Sequence, residues 1–179
     1  MATNPHAIAT EWLAGCTTAI NDADAEAFTK LFLPNGWLRD FLVFTWDVRS
    51  LADHERIQSY LASHLASAKI RDVKLDESVN LAPRASRFAL LKGAECVELA
   101  FTFECKNGHG HAHCRLFRDE DSVFRALALF MEVYDLHGHE ELQTLPFRDD
   151  VSGIPGRDMQ QEFADYVKSI ETNPYVLIG

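Results

Sequence analysis

The chain has 179 residues, 47% hydrophobic and 25% charged, which is enough to fold and bury a sizeable core. Its formal net charge is −10 and its Lys and Arg residues do not cluster, so neither nucleic acid nor an anionic membrane surface is expected as a partner. No apolar run approaches the roughly 20 residues of a membrane span.

Met1-Ala2-Thr3-Asn4-Pro5-His6 carries neither a basic stretch nor an apolar one, so no secretory leader is expected there. Cys16, Cys96, Cys105 and Cys114 are spaced too irregularly for a disulfide framework or a zinc knuckle. A reduced, cytoplasmic setting follows.

Ile8, Trp12, Leu13, Cys16 and Ile20 recur at helical spacing and predict a helix over 6–20. Asn21-Asp22 ends it and opens a second helix, from Ala25 to Phe32, which Pro34-Asn35-Gly36 breaks. A strand-like aromatic run, Trp37 to Phe44, comes next. Asp53 then caps a third helix, which carries Ile57, Tyr60, Leu61 and Leu65 on one side.

Beyond residue 70 the period turns toward two, and strands are predicted at 70–76, 86–91, 95–105, 111–118 and 123–136. Lys106-Asn107-Gly108 and Arg118-Asp119-Glu120-Asp121 are turns between them. From about residue 147 the chain becomes polar. A short helical stretch there includes Phe163, Tyr166 and Val167, and Asn173 to Gly179 reads like the start of a strand. Helices first and an antiparallel meander afterwards predict an α+β fold, with the helices on one face of a curved sheet.

Three blocks carry a family resemblance. GWLRDFLVFTWDVR at 36–49, FTFECKNGHGHAHCRLFRDED at 101–121 and LHGHEE at 136–141 resemble the small N-terminal domain of fungal flavin monooxygenases. PYVLIG at 174–179 is similar to the first Rossmann strand that follows that domain, but no G-x-G-x-x-G occurs, so no dinucleotide cofactor is expected. That domain belongs with the SnoaL-like, nuclear transport factor 2-like folds. The resemblance implies a cone-shaped, curved antiparallel sheet packed on three N-terminal helices over residues 1–146, with a tail at 147–179 in the same unit. It also implies a metal-free pocket and a homodimer formed through the open face of the sheet.

On period-two alternation, Arg39 shares a side with Trp37 and Phe41. A guanidinium among aromatics suits either a cation that steadies an oxyanion or a framework ion pair with Asp40 or Asp47. Glu132 stands in an apolar strand on the side of Ala128, Phe130 and Tyr134, where the resembling domains are expected to carry a small residue. A carboxylate desolvated among apolar neighbours suits general acid–base work, unless it merely pairs with Arg115 or Arg125.

His109, His111 and His113 alternate along one strand and so project from one face. Solvation beside Gly108 and Gly110 competes there with metal binding completed by Glu98 or Glu104. His113, deepest in the strand, is the proton carrier of choice. Phe103, Phe130, Tyr134, Trp37 and Phe41 are the expected substrate-lining aromatics. His137 and His139 read as strand-end structure.

The expected function is a cofactor-independent isomerase or cyclase. It would act on a small, largely apolar oxidised metabolite supplied by a separate flavin monooxygenase, with Arg39, Glu132 and His113 catalytic. The competing expectation is a non-catalytic accessory domain of such a monooxygenase.

Overall fold

The computed structural model describes residues 4–89, 93–141 and 158–172. Asn4 opens helix α1 (Pro5–Asn21), its side chain accepting the N–H groups of His6 and Ala7. The helix buries Ala9, Trp12, Leu13, Cys16, Ala19 and Ile20, a stripe at three- and four-residue spacing. Trp12 keeps its indole N–H satisfied by donating to the Leu31 carbonyl at 3.1 Å.

Asp24 caps the short helix α2 (Ala25–Thr29) through the N–H of Ala27. The expected continuation of this helix to Phe32 does not occur. Phe32 is instead the first residue of strand β1 (Phe32–Phe41), and the Leu31 carbonyl accepts the N–H of Ala126. Pro34-Asn35-Gly36 therefore lies inside β1 and does not end a helix. It produces a register shift, because Phe32 pairs with Ala126 while Trp37 pairs with Ala128. Glycine is needed at position 36, where a Cβ would meet the Ala126 and Leu33 carbonyl oxygens at 2.9 Å.

Strand β2 (Val48–Ala52) was not anticipated from sequence; it pairs antiparallel with β1. Helix α3 (Asp53–Ala68) begins with Asp53 at φ 67°, and the Asp53 carboxylate accepts the Arg56 N–H at 3.1 Å, the expected capping bond. The remaining strands are β3 (Arg71–Leu75), β4 (Arg84–Phe88), β5 (Ala94–Glu104), β6 (Gly108–Arg118) and β7 (Phe124–Leu136).

The sheet order is β2-β1-β7-β6-β5-β3, with β4 also pairing with β5. The β1–β7 pair is parallel, so the sheet is mixed and not wholly antiparallel. That pairing joins the first strand to the last, and no local periodicity records it.

Alternation divides the sheet faces sharply. Leu38, Leu99, Phe101, Phe103, Ala112, Cys114, Leu129 and Met131 point inward and pack with the buried stripe of α1 and with Ile57, Leu61 and Leu65 of α3. Each large aliphatic or aromatic side chain so buried contributes about 1.5–3 kcal/mol. The face beneath the helices is thus core.

The chain divides into two compact units, 1–141 and 142–179; the expected boundary at 146 and the strand-like end at 173–179 fall outside the described residues. In the second unit, helix α4 (Met159–Thr172) is capped by Asp158, which accepts the N–H groups of Gln160 and Gln161. No helix among the described residues is long and apolar enough to cross a membrane.

Candidate functional site

Strand register decides which of the candidate residues meet. Arg39 on β1 pairs with Phe130 on β7, which pairs with His113 on β6, which pairs with Ala100 on β5. One pleat along, Phe41 pairs with Glu132, and Glu132 with His111. Trp37 pairs with Ala128, and Ala128 with Arg115. Arg39, Glu132 and His113 therefore share the outer face of the sheet with Trp37, Phe41, Phe130 and Tyr134, opposite the helices.

Phe103 is not brought to this place. It is 2% exposed in the core, with its ring packed so closely on Gly110 that a Cβ there would stand 2.2 Å from it. Its parity on β5 sets it opposite Thr102 and Glu104.

The ion pairs weighed against catalytic roles for Arg39 and Glu132 go to other partners. Asp47 binds Arg49 at 2.6 Å, and Asp40 points inward. Arg125 binds Asp119, while Arg115 donates to Glu98 at 3.1 Å. The side chains of Arg39 and Glu132 make no hydrogen bond or ion pair among the described residues. Tyr134 stacks on His111 with ring centroids 4.2 Å apart.

A cavity of about 340 Å³ opens on this face where residues 80–84 fold toward β5 and β6. His113, Phe130 and Ala128 form one wall; Leu81, Ala82 and Ala100 add apolar surface. Its polar rim is the Arg84–Glu98–Arg115 network. Arg84 donates to Glu98 Oε2 through two nitrogens at 2.9 and 3.0 Å, and Arg115 donates to Oε1. Desolvation pushes the Glu98 carboxyl up, but the hydrogen bonds from Arg84 and Ser86 and the charge of Arg115 outweigh it, leaving the group below its ordinary range. Asp76 is also held low, first by Ser78, with smaller contributions from the nearby His111 and His113.

The interior holds a polar cluster that sequence reasoning missed. Asp40 is fully buried; it accepts the Tyr60 hydroxyl at 2.6 Å and the N–H groups of Val43 at 2.9 Å and Phe44 at 3.3 Å. Tyr60 and Thr45 hydroxyls are 3.1 Å apart. Burial pushes the Asp40 carboxyl up, against the lowering effect of its donors. These bonds hold the reversal after β1, in which Leu42 takes φ 69°, an uncommon conformation for a bulky residue. The same alternation that sets Arg39 outward sets Asp40 inward, so the signal was present in the pattern.

A second unanticipated cluster sits at the end of the sheet where β5, β6 and β7 meet. His109 Nδ1 lies 2.8 Å from Glu104 Oε1, and His137 Nε2 lies 3.6 Å from Glu104 Oε2. The hydrogen bond to Glu104 and that carboxylate's charge raise the His109 pKa above its ordinary value. His137, read from sequence as strand-end structure, is thus part of a polar group. His111 and His113 are not: at about 3.4 Å rise per residue they stand roughly 7 and 14 Å along β6 from His109.

No family model matches the chain, and no curated protein does. Solved structures do. ActVI-ORFA from Streptomyces coelicolor is 13% identical with a TM-score of 0.52, over 72% of this chain and 96% of that one. A domain of unknown function with a cystatin-like fold from Nostoc punctiforme is 13% identical with a TM-score of 0.55, over 97% and 100%. A ketosteroid isomerase-like protein from Erwinia carotovora atroseptica is 11% identical with a TM-score of 0.53, over 75% and 99%. At these identities the likeness establishes the cystatin-like, nuclear transport factor 2-like fold and nothing finer.

Proposed function

We propose that the protein is a cofactor-independent isomerase or cyclase, working on the outer sheet face on a small, largely apolar oxidised metabolite. The observation that carries this reading is the row Arg39–Phe130–His113. In it an unpaired guanidinium and an imidazole flank an aromatic floor beside a cavity of ligand size, with the unpaired Glu132 one pleat away. Similarity in fold to a ketosteroid isomerase-like protein agrees with that class of chemistry.

In a semipinacol-type rearrangement of a hydroxylated epoxide, Glu132 is the group placed to deliver a proton to the epoxide oxygen as its C–O bond breaks. A neighbouring carbon substituent migrates with its electron pair to the electron-poor carbon. The hydroxyl carbon becomes a carbonyl, and its proton passes to His113. Arg39 stabilises charge on the oxygens, and Phe130 holds the apolar skeleton in one conformer. No oxidant or reductant enters the balance. An upstream flavin monooxygenase is the fitting source of such a substrate.

The test is product analysis with synthetic hydroxy-epoxides. Glu132→Gln should lower turnover by 10²-fold or more, the usual contribution of a positioned proton donor, with the fold intact. Unchanged turnover would remove Glu132 from the mechanism. The exposure of Trp37 at 52% and Tyr134 at 55% favours one second reading, an accessory domain that docks this face on a flavin monooxygenase. That reading predicts no turnover by the isolated chain and its co-elution with the monooxygenase, lost in Trp37→Ala.

A further inference from the structure

We propose that Glu104, His109 and His137 form a binding site for a divalent transition metal of the zinc class. The site is separate from the proposed catalytic row. Two imidazoles and one carboxylate are a donor set suited to such an ion, and they leave at least one coordination position for water. One ligand atom from each residue lies within 4.8 Å of the others. Ligand atoms about 2.0–2.1 Å from a tetrahedral ion stand roughly 3.4 Å from one another. His109 Nδ1 lies 2.8 Å from Glu104 Oε1 and His137 Nε2 lies 3.6 Å from Glu104 Oε2, one imidazole beside each carboxylate oxygen, so side-chain rotations would bring one donor atom of each residue onto a shared ion.

The backbone fixes the three donors from three segments. Glu104 and His109 are cross-strand partners on β5 and β6. His137 follows β7, and its N–H donates to the Asn107 carbonyl at 3.1 Å, which ties the end of β7 to the β5–β6 turn. Gly138, at φ 76°, donates its N–H to Glu140 Oε1, holding that side chain in the turn.

Glu140 Oε1 then stands 3.7 Å from His109 Nε2, the ring nitrogen turned away from Glu104. A carboxylate behind the far nitrogen of a ligating imidazole orients the ring and raises its basicity, which is the usual outer arrangement of a metal-bound histidine. His137 Nε2 also lies 3.2 Å from the Cys105 carbonyl oxygen, a contact that a turn of the ring exchanges for the shared ion. The two rings stand edge to face with centroids 4.7 Å apart, close enough for one ion to take a nitrogen from each.

The test uses untagged full-length protein stripped with a chelator and titrated with Zn²⁺ by calorimetry, and with Co²⁺ by visible absorption. One saturable ion per chain is expected, with the Co²⁺ spectrum showing the intense bands of low coordination. His109→Ala and His137→Ala should each weaken binding by about 100-fold or more. Glu140→Gln should weaken it by about 10-fold, as removal of an outer-shell partner does. His111→Ala should leave it unchanged. Circular dichroism checks each fold; if an alanine variant fails to fold, Glu104→Gln removes the anionic ligand while keeping its shape. Absence of saturable binding, or a wild-type affinity in both histidine variants or in Glu104→Gln, overturns the site.

Discussion

Removing the Tyr60 hydroxyl takes one donor from the buried Asp40 and one partner from the Thr45 hydroxyl. In Tyr60→Phe the ring keeps its edge contact with Phe44, whose centroid lies 5.9 Å away, so the change is confined to one oxygen. Asp40 loses its 2.6 Å donor and keeps the backbone N–H groups of Val43, Phe44 and Thr45. A hydrogen bond to a charged group is worth about 1.5–3 kcal/mol, and burial leaves water no ready access to replace it. A loss of about 2 kcal/mol is expected, which for a chain of this size is a fall in Tm of roughly 4–8 °C. Urea unfolding with an unchanged slope is the assay. The pH dependence sharpens it. The Tyr60 bond lowers the Asp40 pKa in the fold, so the variant raises it further and binds its proton more readily. The variant's deficit should therefore narrow as pH falls and the carboxyl protonates. A deficit below 0.5 kcal/mol, or one constant from pH 8 to 4, would refute the reasoning.

Gly110→Ala would place a methyl against the Phe103 ring, and an overpacking loss of about 1–3 kcal/mol is expected. Phe103→Leu in the same chain should recover part of it, so a double-mutant cycle in urea that shows simple additivity would count against the contact. For Glu98, the folded-state pKa lies below its unfolded value because Arg84 and Arg115 overcome its desolvation. Its stabilising contribution is complete above the ordinary glutamate pKa and is lost as pH falls through the depressed one. Glu98→Gln should therefore be less stable than wild type at pH 7 and level with it in strong acid, as thermal unfolding across pH would record.

Alternation made much of the outer face legible. Arg39 with Trp37 and Phe41, and Glu132 with Phe130, share sides as their parity requires, and Tyr134, past a register shift, joins them by stacking on His111. Parity alone does not say which side the helices cover, and this is why Phe103 was grouped with residues that it faces away from. Pro34-Asn35-Gly36 carries every mark of a helix stop, yet it is a bulge in a strand, because the parallel β7 supplies the pairing that a local reading cannot see. Strand β2 went unseen because Val48, Arg49 and Ser50 are exposed and carry no apolar period. The histidine cluster was hidden for a different reason. His109 was grouped with its strand neighbours, whereas its actual companions come from 5 residues earlier and 28 later in the chain.

On the catalytic reading, these positions constrain how a substrate lies. The segment at 80–84 shelters only the β5–β6 side of the outer face, where it walls the cavity beside the half-buried Phe130 and leaves His113 exposed to solvent. Arg39 stands two strand spacings from His113, about 10 Å, with Phe130 between them. A ligand reaching both must lie across Phe130, with its apolar skeleton on the ring and an oxygen at the Arg39 end. Glu132, beside Phe41, then meets the skeleton from its flank. Shortening the substrate to less than that span should cost the Arg39 contact first. Turnover of a truncated substrate should become insensitive to Arg39→Lys while remaining dependent on His113.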